Sequence, residues 1–377
     1  IKDSAPFSFK DSLESLHEST KDSFLSIDIT GGADSRLLLS ALDYYGANYE
    51  LAMTGPPENL DVKYAKNIAS FLNKPIITTH QILTDDLENE LEEIFFLSDG
   101  ITDISTYHRI FKHQGNRKSR GYDLSISGAG GEIYKDFTWL QDFPFFHKKK
   151  PNWNRFYSLR ICPTAPDHHL LSDDFQKHSH NIKHYILNEL NEYKHKWNSQ
   201  AYDEVYLNYK WPSIAGNFIT NNNSFFPCYA PFLELTRAQY SYHLKRKDRF
   251  FNSMHRKHVS YYSQPLSLFP TTEGNMNLSN KKLYLASDTL KYIGNRGQRI
   301  LNKTSQKLLK TNFLNFPSPN HPEYKNKIRS LNSFKLAVEN LKDEGILNKE
   351  VDTENIKDRY VGSIISLNRL MEYTGSY

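Results

Sequence analysis

Thr30-Gly31-Gly32-Ala33-Asp34-Ser35 gathers two hydroxyls, two adjacent glycines and one carboxylate into a single short segment. Without Cβ atoms the glycines let backbone N–H groups approach an anion closely. The segment follows the apolar run Phe24 to Ile29, read as a buried strand. It opens the Leu-rich stretch Ser35 to Tyr45, read as a helix whose N-terminal dipole favours negative charge. Thr30 and Ser35 add hydroxyl donors. Asp34 would repel phosphates by itself, so a carboxylate at this position points to Mg²⁺ as its partner. The expected chemistry is therefore phosphate binding with a metal. The competing reading, a tight turn and a helix cap, loses weight because a strand precedes the segment and a helix follows it. No Gly-Lys-Ser/Thr follows, and no three-glycine dinucleotide fingerprint is present, which sets kinase and dehydrogenase chemistry aside.

A second glycine cluster, Ser127-Gly128-Ala129-Gly130-Gly131-Glu132, lies about a hundred residues on, at the end of the strand-like run Asp123 to Ser127. In an open α/β sheet the carboxyl ends of the strands share one edge, so both loops are expected to face one crevice. A helix N-terminal acid is the plainer role for Glu132.

The elements that must hold these loops alternate in the first third of the chain. Tyr49 to Thr54 reads as a second strand ended by Gly55-Pro56-Pro57, Asp61 to Leu72 as a helix, Pro75 to His80 as a strand, and Leu87 to Leu97 as a helix. With Asp123 to Ser127 this makes at least four strands. Strands separated by amphipathic helices argue for an open, mostly parallel, doubly wound α/β sheet. From about Gly131 the strand signal fades, and Phe175 to Lys196, Tyr202 to Phe218, Leu233 to Lys245 and Lys335 to Leu347 read as helices. The expected organisation is a phosphate-binding α/β core over residues 1–140 and a mainly helical part over 141–377 closing over the crevice. The Pro-, Lys- and aromatic-rich stretch Phe143 to Pro166 is the expected irregular excursion between them.

At these residues the sequence resembles the PP-loop ATP pyrophosphatases, whose motif is Ser-Gly-Gly-X-Asp-Ser; Thr30 replaces the first Ser and keeps the hydroxyl. The second cluster looks like the Ser-Gly-X-Gly-X-Asp motif of the asparagine synthetase and β-lactam synthetase group, with Glu132 at the Asp position. A looser similarity joins Phe226 to Glu234 to the Arg-X-Pro-Phe-Leu-Asp segment of that group, without its Arg. The resemblance runs from about Phe24 to Ser260 and implies a Rossmann-like PP-loop fold. It implies a ligase that activates a substrate carboxylate as an acyl-adenylate, releasing pyrophosphate, for attack by ammonia or an amine. It further implies ATP and Mg²⁺ as cofactors, Asp34 and Glu132 as the metal pair, and Thr30, Gly31, Gly32, Asp34, Ser35, Met53 and Gly128 as the nucleotide-binding set. From the basic residues after that segment, Lys245-Arg246-Lys247 and Arg256-Lys257-His258, Lys257 is the expected catalytic cation for the departing pyrophosphate.

Glutamine-dependent members of that group carry an N-terminal amidohydrolase domain, whereas this sequence opens at Ile1 without one. The expected nucleophile is thus free ammonia, a substrate amine, or ammonia from a separate glutaminase domain or chain, and a fragment of a longer protein is among the expectations. The carboxylate is expected on a small molecule, peptide or sugar acid. Asp99, Asp103, Tyr107 and His108 are candidate substrate-facing groups, and His80 a weaker one. A tRNA-modifying PP-loop enzyme is the first alternative, kept open by Trp139, Phe145, Phe146 and Lys148-Lys149-Lys150. A catalytically weakened nucleotide-binding partner is the second.

A formal net charge of +4, with both signs interspersed, does not demand a nucleic-acid partner. Cys162 and Cys228 form neither a metal spacing nor a disulfide framework, which suits a reducing, cytoplasmic setting. No apolar run reaches the roughly 18 to 20 residues a spanning helix needs, so no membrane partner is expected. His178, His180 and His184 have helical spacing but lack a Cys or acidic companion for zinc.

Overall fold

The computed structural model describes residues 8–80, 83–100, 103–142, 145–162, 167–294 and 322–375. The chain forms two compact units, neither continuous in sequence. The first draws on Ile1–His80, Gly115–Asp136 and Phe226–Asn320, and the second on Gln81–Gln114, Phe137–Phe225 and His321–Tyr377.

The first unit is α/β. Five strands, β1 (Leu25–Asp28), β2 (Tyr49–Thr54), β3 (Ile76–Thr79), β4 (Leu124–Ile126) and β5 (Cys228–Tyr229), form one sheet in the order β3-β2-β1-β4-β5. Every pairing is parallel. Leu25 of the central strand pairs with Tyr49 on one side and Leu124 on the other. Leu25 and Ile27 are fully buried on one face of β1 and Ser26 between them is buried on the other, so the central strand is covered on both faces; Ile29 and Leu51 are fully buried as well. Buried Ser26 within β1 is answered by Arg117, whose Nε donates to its Oγ at 2.9 Å and whose Nη2 pairs with Asp28. Chain order reverses between β1 and β4, and both glycine clusters follow those two neighbouring strands. In an open parallel sheet, that switch point is where ligands bind.

Helix α1 (Phe9–Thr20), capped by Ser8, buries Phe9, Leu13 and Leu16 one turn apart. Helices α2 (Ala33–Tyr44) and α3 (Leu60–Phe71) follow β1 and β2. The four strands expected from sequence are present within a residue or two. The fifth, β5, is only two residues long and lies where the sequence pattern shows no alternation.

The second unit is helical among its described residues, apart from one isolated bridge between Leu171 and Leu347. One cluster packs Leu87, Leu91 and Phe95 with Phe334, Val338 and Ile365, drawing the last part of the chain into this core. A second cluster is built on Trp139, Trp153, Phe156 and Tyr202. The helix expected over Tyr202 to Phe218 is instead an α-helix, Asn198–Val205, running into a π-helical stretch, Tyr206–Gly216, that contains Pro212. A proline ring clashes with the carbonyl one turn earlier and has no N–H to donate, so regular winding cannot continue through it.

Candidate nucleotide site

The first glycine loop leaves β1 and enters α2 with Gly32 as its cap, in extended conformation and without a side-chain cap bond. Its shape is fixed by its own hydroxyls. Thr30 N donates to Ser35 Oγ at 3.1 Å, the two hydroxyls lie 3.1 Å apart, and Gly32 N donates to Thr30 Oγ1 at 3.0 Å. Gly31 N donates to Asp61 Oδ1 at 2.9 Å, and Thr272 closes the arrangement by donating N–H to Gly31 O (3.1 Å) and Oγ1–H to Asp61 Oδ1 (3.1 Å). Fully buried Arg36 holds this last turn by donating to the carbonyls of Phe269 (2.5 Å) and Pro270 (2.8 Å).

The second loop packs directly on the first. A Cβ on Gly128 would stand 2.9 Å from Ser35 N, and one on Gly131 would stand 2.3 Å from Asp34 Cγ, so neither position admits a side chain without movement. Gly130, at φ 86°, makes the left-handed turn that sends the chain into the tight helical turn Gly131–Tyr134. Glu132, half-buried, opens that turn and Lys135 follows it.

Asp34 is the electrostatic centre. Lys135 Nζ lies 2.7 Å from its Oδ2 and His255 Nε2 lies 2.7 Å from its Oδ1. Burial opposes ionisation of Asp34, but the charge of Lys135 and then the contact with His255 outweigh it and hold the carboxyl at about 2. Burial likewise works against the Lys135 ammonium, and is outweighed by Asp34, then Glu273 and Glu132, so Lys135 lies above the ordinary lysine range. Glu273 Oε1 is 3.8 Å from Lys135 Nζ. Buried Arg249 donates through Nη2 to Lys135 O at 3.1 Å and fixes the backbone beneath it. His255 is fully buried; its contact with Asp34 lacks the geometry of a hydrogen bond, and its Nδ1 has no partner.

The expected site residues are therefore distributed unevenly. Thr30, Gly31, Gly32, Asp34, Ser35, Gly128 and Glu132 belong to the two loops at the carboxyl ends of β1 and β4. Met53 is buried within β2 and pairs in register with Thr78 of β3. Lys257 is exposed on the helix Ser253–Tyr262, two residues beyond His255 and so on a different face of that helix. Lys135 and His255 are the basic groups that the fold brings to Asp34, and sequence reasoning missed both. Each lay in view: Lys135 three residues after Glu132, His255 two before Lys257. Asp61, read from sequence only as the first residue of a helix, is the acceptor for the loop amide.

Of the candidate substrate-facing groups of the second unit, Tyr107 and His108 are buried, Asp103 is half-buried and Asp99 is exposed. Asp103 accepts from Ser105 Oγ (2.6 Å) and Thr106 N (3.0 Å), Tyr107 Oη donates to Asn222 Oδ1 (2.7 Å), and buried His108 Nε2 lies 2.7 Å from Glu90 Oε2. Asp99 sits in a left-handed turn at φ 49°. His80 is exposed just beyond β3, and His178, His180 and His184 are exposed on the helix Asp173–Leu190. Trp139 is buried and donates to Asp203 at 2.9 Å, while Lys150 lies over the Trp197 ring.

The carboxylates as they stand do not fit a metal held by Asp34 and Glu132. One oxygen of Asp34 carries the Lys135 ammonium and the other faces His255. Among the described residues no three His, Cys, Asp or Glu side chains are grouped to hold a metal ion. No protein-family model matches the chain, and no curated protein sequence matches it. Among the described residues no helix is long and apolar enough to cross a membrane.

Proposed function

We propose that the α/β unit is a PP-loop, asparagine synthetase-like nucleotide site: it binds ATP across the two glycine loops and activates a substrate carboxylate as an acyl-adenylate for attack by ammonia or an amine. One observation carries this reading. The loops follow the adjacent parallel strands β1 and β4 at the reversal of strand order, and are packed so tightly that Gly128 and Gly131 cannot carry side chains. Backbone in such contact, ending at the N-terminus of α2, suits recognition of phosphates. The resemblance of both motifs to that group supplies the reaction class.

In this reading the backbone amides at the N-terminus of α2 orient the phosphate chain, presented by a loop that the Thr30 and Ser35 hydroxyls shape. Attack of the carboxylate oxygen on the α-phosphorus forms the acyl-phosphate bond and breaks the bond to pyrophosphate, whose developing charge needs fixed cations nearby. Among the described residues, Lys135 is the buried cation at Asp34 that can meet it. The substrate is a small-molecule, peptide or sugar-acid carboxylate, and the nitrogen comes from ammonia, an amine, or a separate glutaminase.

The test is incubation with α-labelled ATP, Mg²⁺, ammonium and pooled carboxylates, with Asp34→Asn as control. AMP formation lost in the variant is the expected result. ADP, or AMP indifferent to Asp34, would sink the reading.

A further inference from the structure

We propose that in this chain the Lys135 ammonium, and not a metal ion held by Asp34, is the cation that joins the acidic centre of the loop site to the phosphates of its ligand. The proposal rests on the nucleotide reading above and specifies how that site carries its charge.

Lys135 Nζ occupies the position a metal would need. It lies 2.7 Å from Asp34 Oδ2 and 3.8 Å from Glu273 Oε1, and Glu132 acts on it from the start of the same tight turn. A Mg²⁺ ion demands oxygen ligands at about 2.1 Å in near-octahedral array, so one bound to Asp34 Oδ2 would stand only roughly 4 Å from the ammonium. Two cations that close, one of them divalent, repel strongly in a buried setting. Gly131 closes another approach: its backbone is so near that an added carbon would be 2.3 Å from Asp34 Oδ1, leaving no space on that side for a hydrated ion.

The ammonium is also well fitted to receive an anion. It has three N–H donors and meets Asp34 as an ion pair at 2.7 Å, while Glu273 at 3.8 Å is beyond hydrogen-bond length. Its backbone is locked by buried Arg249. His255, buried against the other oxygen of Asp34, keeps that carboxylate turned toward Lys135. A phosphate arriving at the loops thus meets a preformed lysine and requires no metal bound beforehand. Magnesium that accompanies ATP would be carried by the nucleotide.

The experiment is calorimetric titration of the full chain with ATP, once in EDTA and once in excess Mg²⁺, together with Mn²⁺ titration followed by electron paramagnetic resonance without nucleotide. Expected are ATP binding in EDTA, an affinity that changes less than about threefold on adding Mg²⁺, and no Mn²⁺ uptake attributable to Asp34. Loss of a charge-assisted hydrogen bond in Lys135→Met should weaken binding in EDTA about tenfold to a hundredfold, with Lys135→Arg recovering most of it. ATP binding that requires Mg²⁺, or Mn²⁺ uptake lost in Asp34→Asn and kept in Lys135→Met, would overturn the proposal while leaving the nucleotide reading intact. No ATP binding under either condition would overturn both. The comparison of the unaltered chain with and without metal stands even if Lys135→Met fails to fold.

Discussion

Gly131 lies against the side chain of Asp34 so closely that a single added methyl would stand 2.3 Å from Asp34 Cγ. This contact joins the second glycine loop to the first turn of α2, and it sets the direction in which the Asp34 carboxylate faces Lys135. Gly131→Ala must therefore displace either the loop or the carboxylate. Overpacking of this kind typically costs about 1 to 3 kcal/mol. The expected outcome is a lowered urea midpoint together with loss of fluorescent ATP-analogue binding. Gly121→Ala is the control: an added Cβ there meets nothing within 4 Å, and its φ of +74° accounts for a modest cost without any effect on binding. Equal binding by Gly131→Ala and the unaltered chain would show that the loop contact has no part in the site.

Asp61 anchors the first loop through its role as an acceptor. Its Oδ1 receives Gly31 N–H at 2.9 Å and the Thr272 hydroxyl at 3.1 Å. Asp61→Ala leaves the loop amide without that partner, at a cost of about 1 to 3 kcal/mol. Asp61→Asn keeps a carbonyl oxygen in place, so it should recover most of the stability. Thermal unfolding of the two variants checks this. Asn as damaging as Ala would mean that the negative charge, and not the acceptor, is what the loop requires.

The parts of the fold that sequence makes legible are those in which periodicity and glycine chemistry agree. β1, with fully buried Leu25 and Ile27, is an apolar run that ends in a glycine loop, and α3 and the helix Leu87–Leu97 carry helical spacing throughout. Both glycine loops were legible for the same reason. β5 was not, because two residues give no alternation to detect and the strand exists only through its pairing with β4. Lys135 and His255 were hidden differently. A lysine becomes the partner of an aspartate a hundred residues away only through the parallel pairing of β1 with β4. The exposed Lys257 has the same residue type as the buried Lys135, and one-dimensional spacing cannot tell them apart.

Arg256 and Asp288 form a buried ion pair, Nη1 to Oδ2 at 2.9 Å, in which both side chains are almost wholly shielded from water. Asp288 also accepts from Asn277 N, tying the segment after residue 276 to the helix Ser253–Tyr262 that bears His255. Removing Asp288 leaves the Arg256 charge buried without its carboxylate, and removing Arg256 leaves Asp288, among the described residues, only the Lys291 cation at 3.8 Å; breaking such a buried pair costs about 3 to 5 kcal/mol. Arg256→Met and Asp288→Leu should each be strongly destabilising, and the double variant less so than their sum. Chemical denaturation of the full cycle measures this coupling, and strict additivity would exclude it.

His258 makes stability depend on pH in a window of its own. The ring packs 5.1 Å from that of Phe9, centroid to centroid, and burial, followed by the charges of Lys257 and His255, lowers its pKa from 6.5 to about 4. The folded chain therefore resists protonating this ring, whereas the unfolded chain accepts the proton at an ordinary histidine pKa. Above pH 6.5 the ring is neutral in both states and its packing contributes fully. As pH falls from 6.5 toward about 4 the unfolded state binds more protons, and stability declines, levelling only once the folded form protonates as well. Asp34, held at about 2, keeps its charge in the folded chain through this interval and adds to the slope only at its acid end, where the unfolded chain begins to protonate the carboxyl from its ordinary 3.8. His258→Gln cannot take up the proton in either state, so its urea midpoint should fall less steeply than that of the unaltered chain over this range. Parallel pH profiles for the two proteins would show that His258 is solvated and protonates in the folded chain as readily as in the unfolded one.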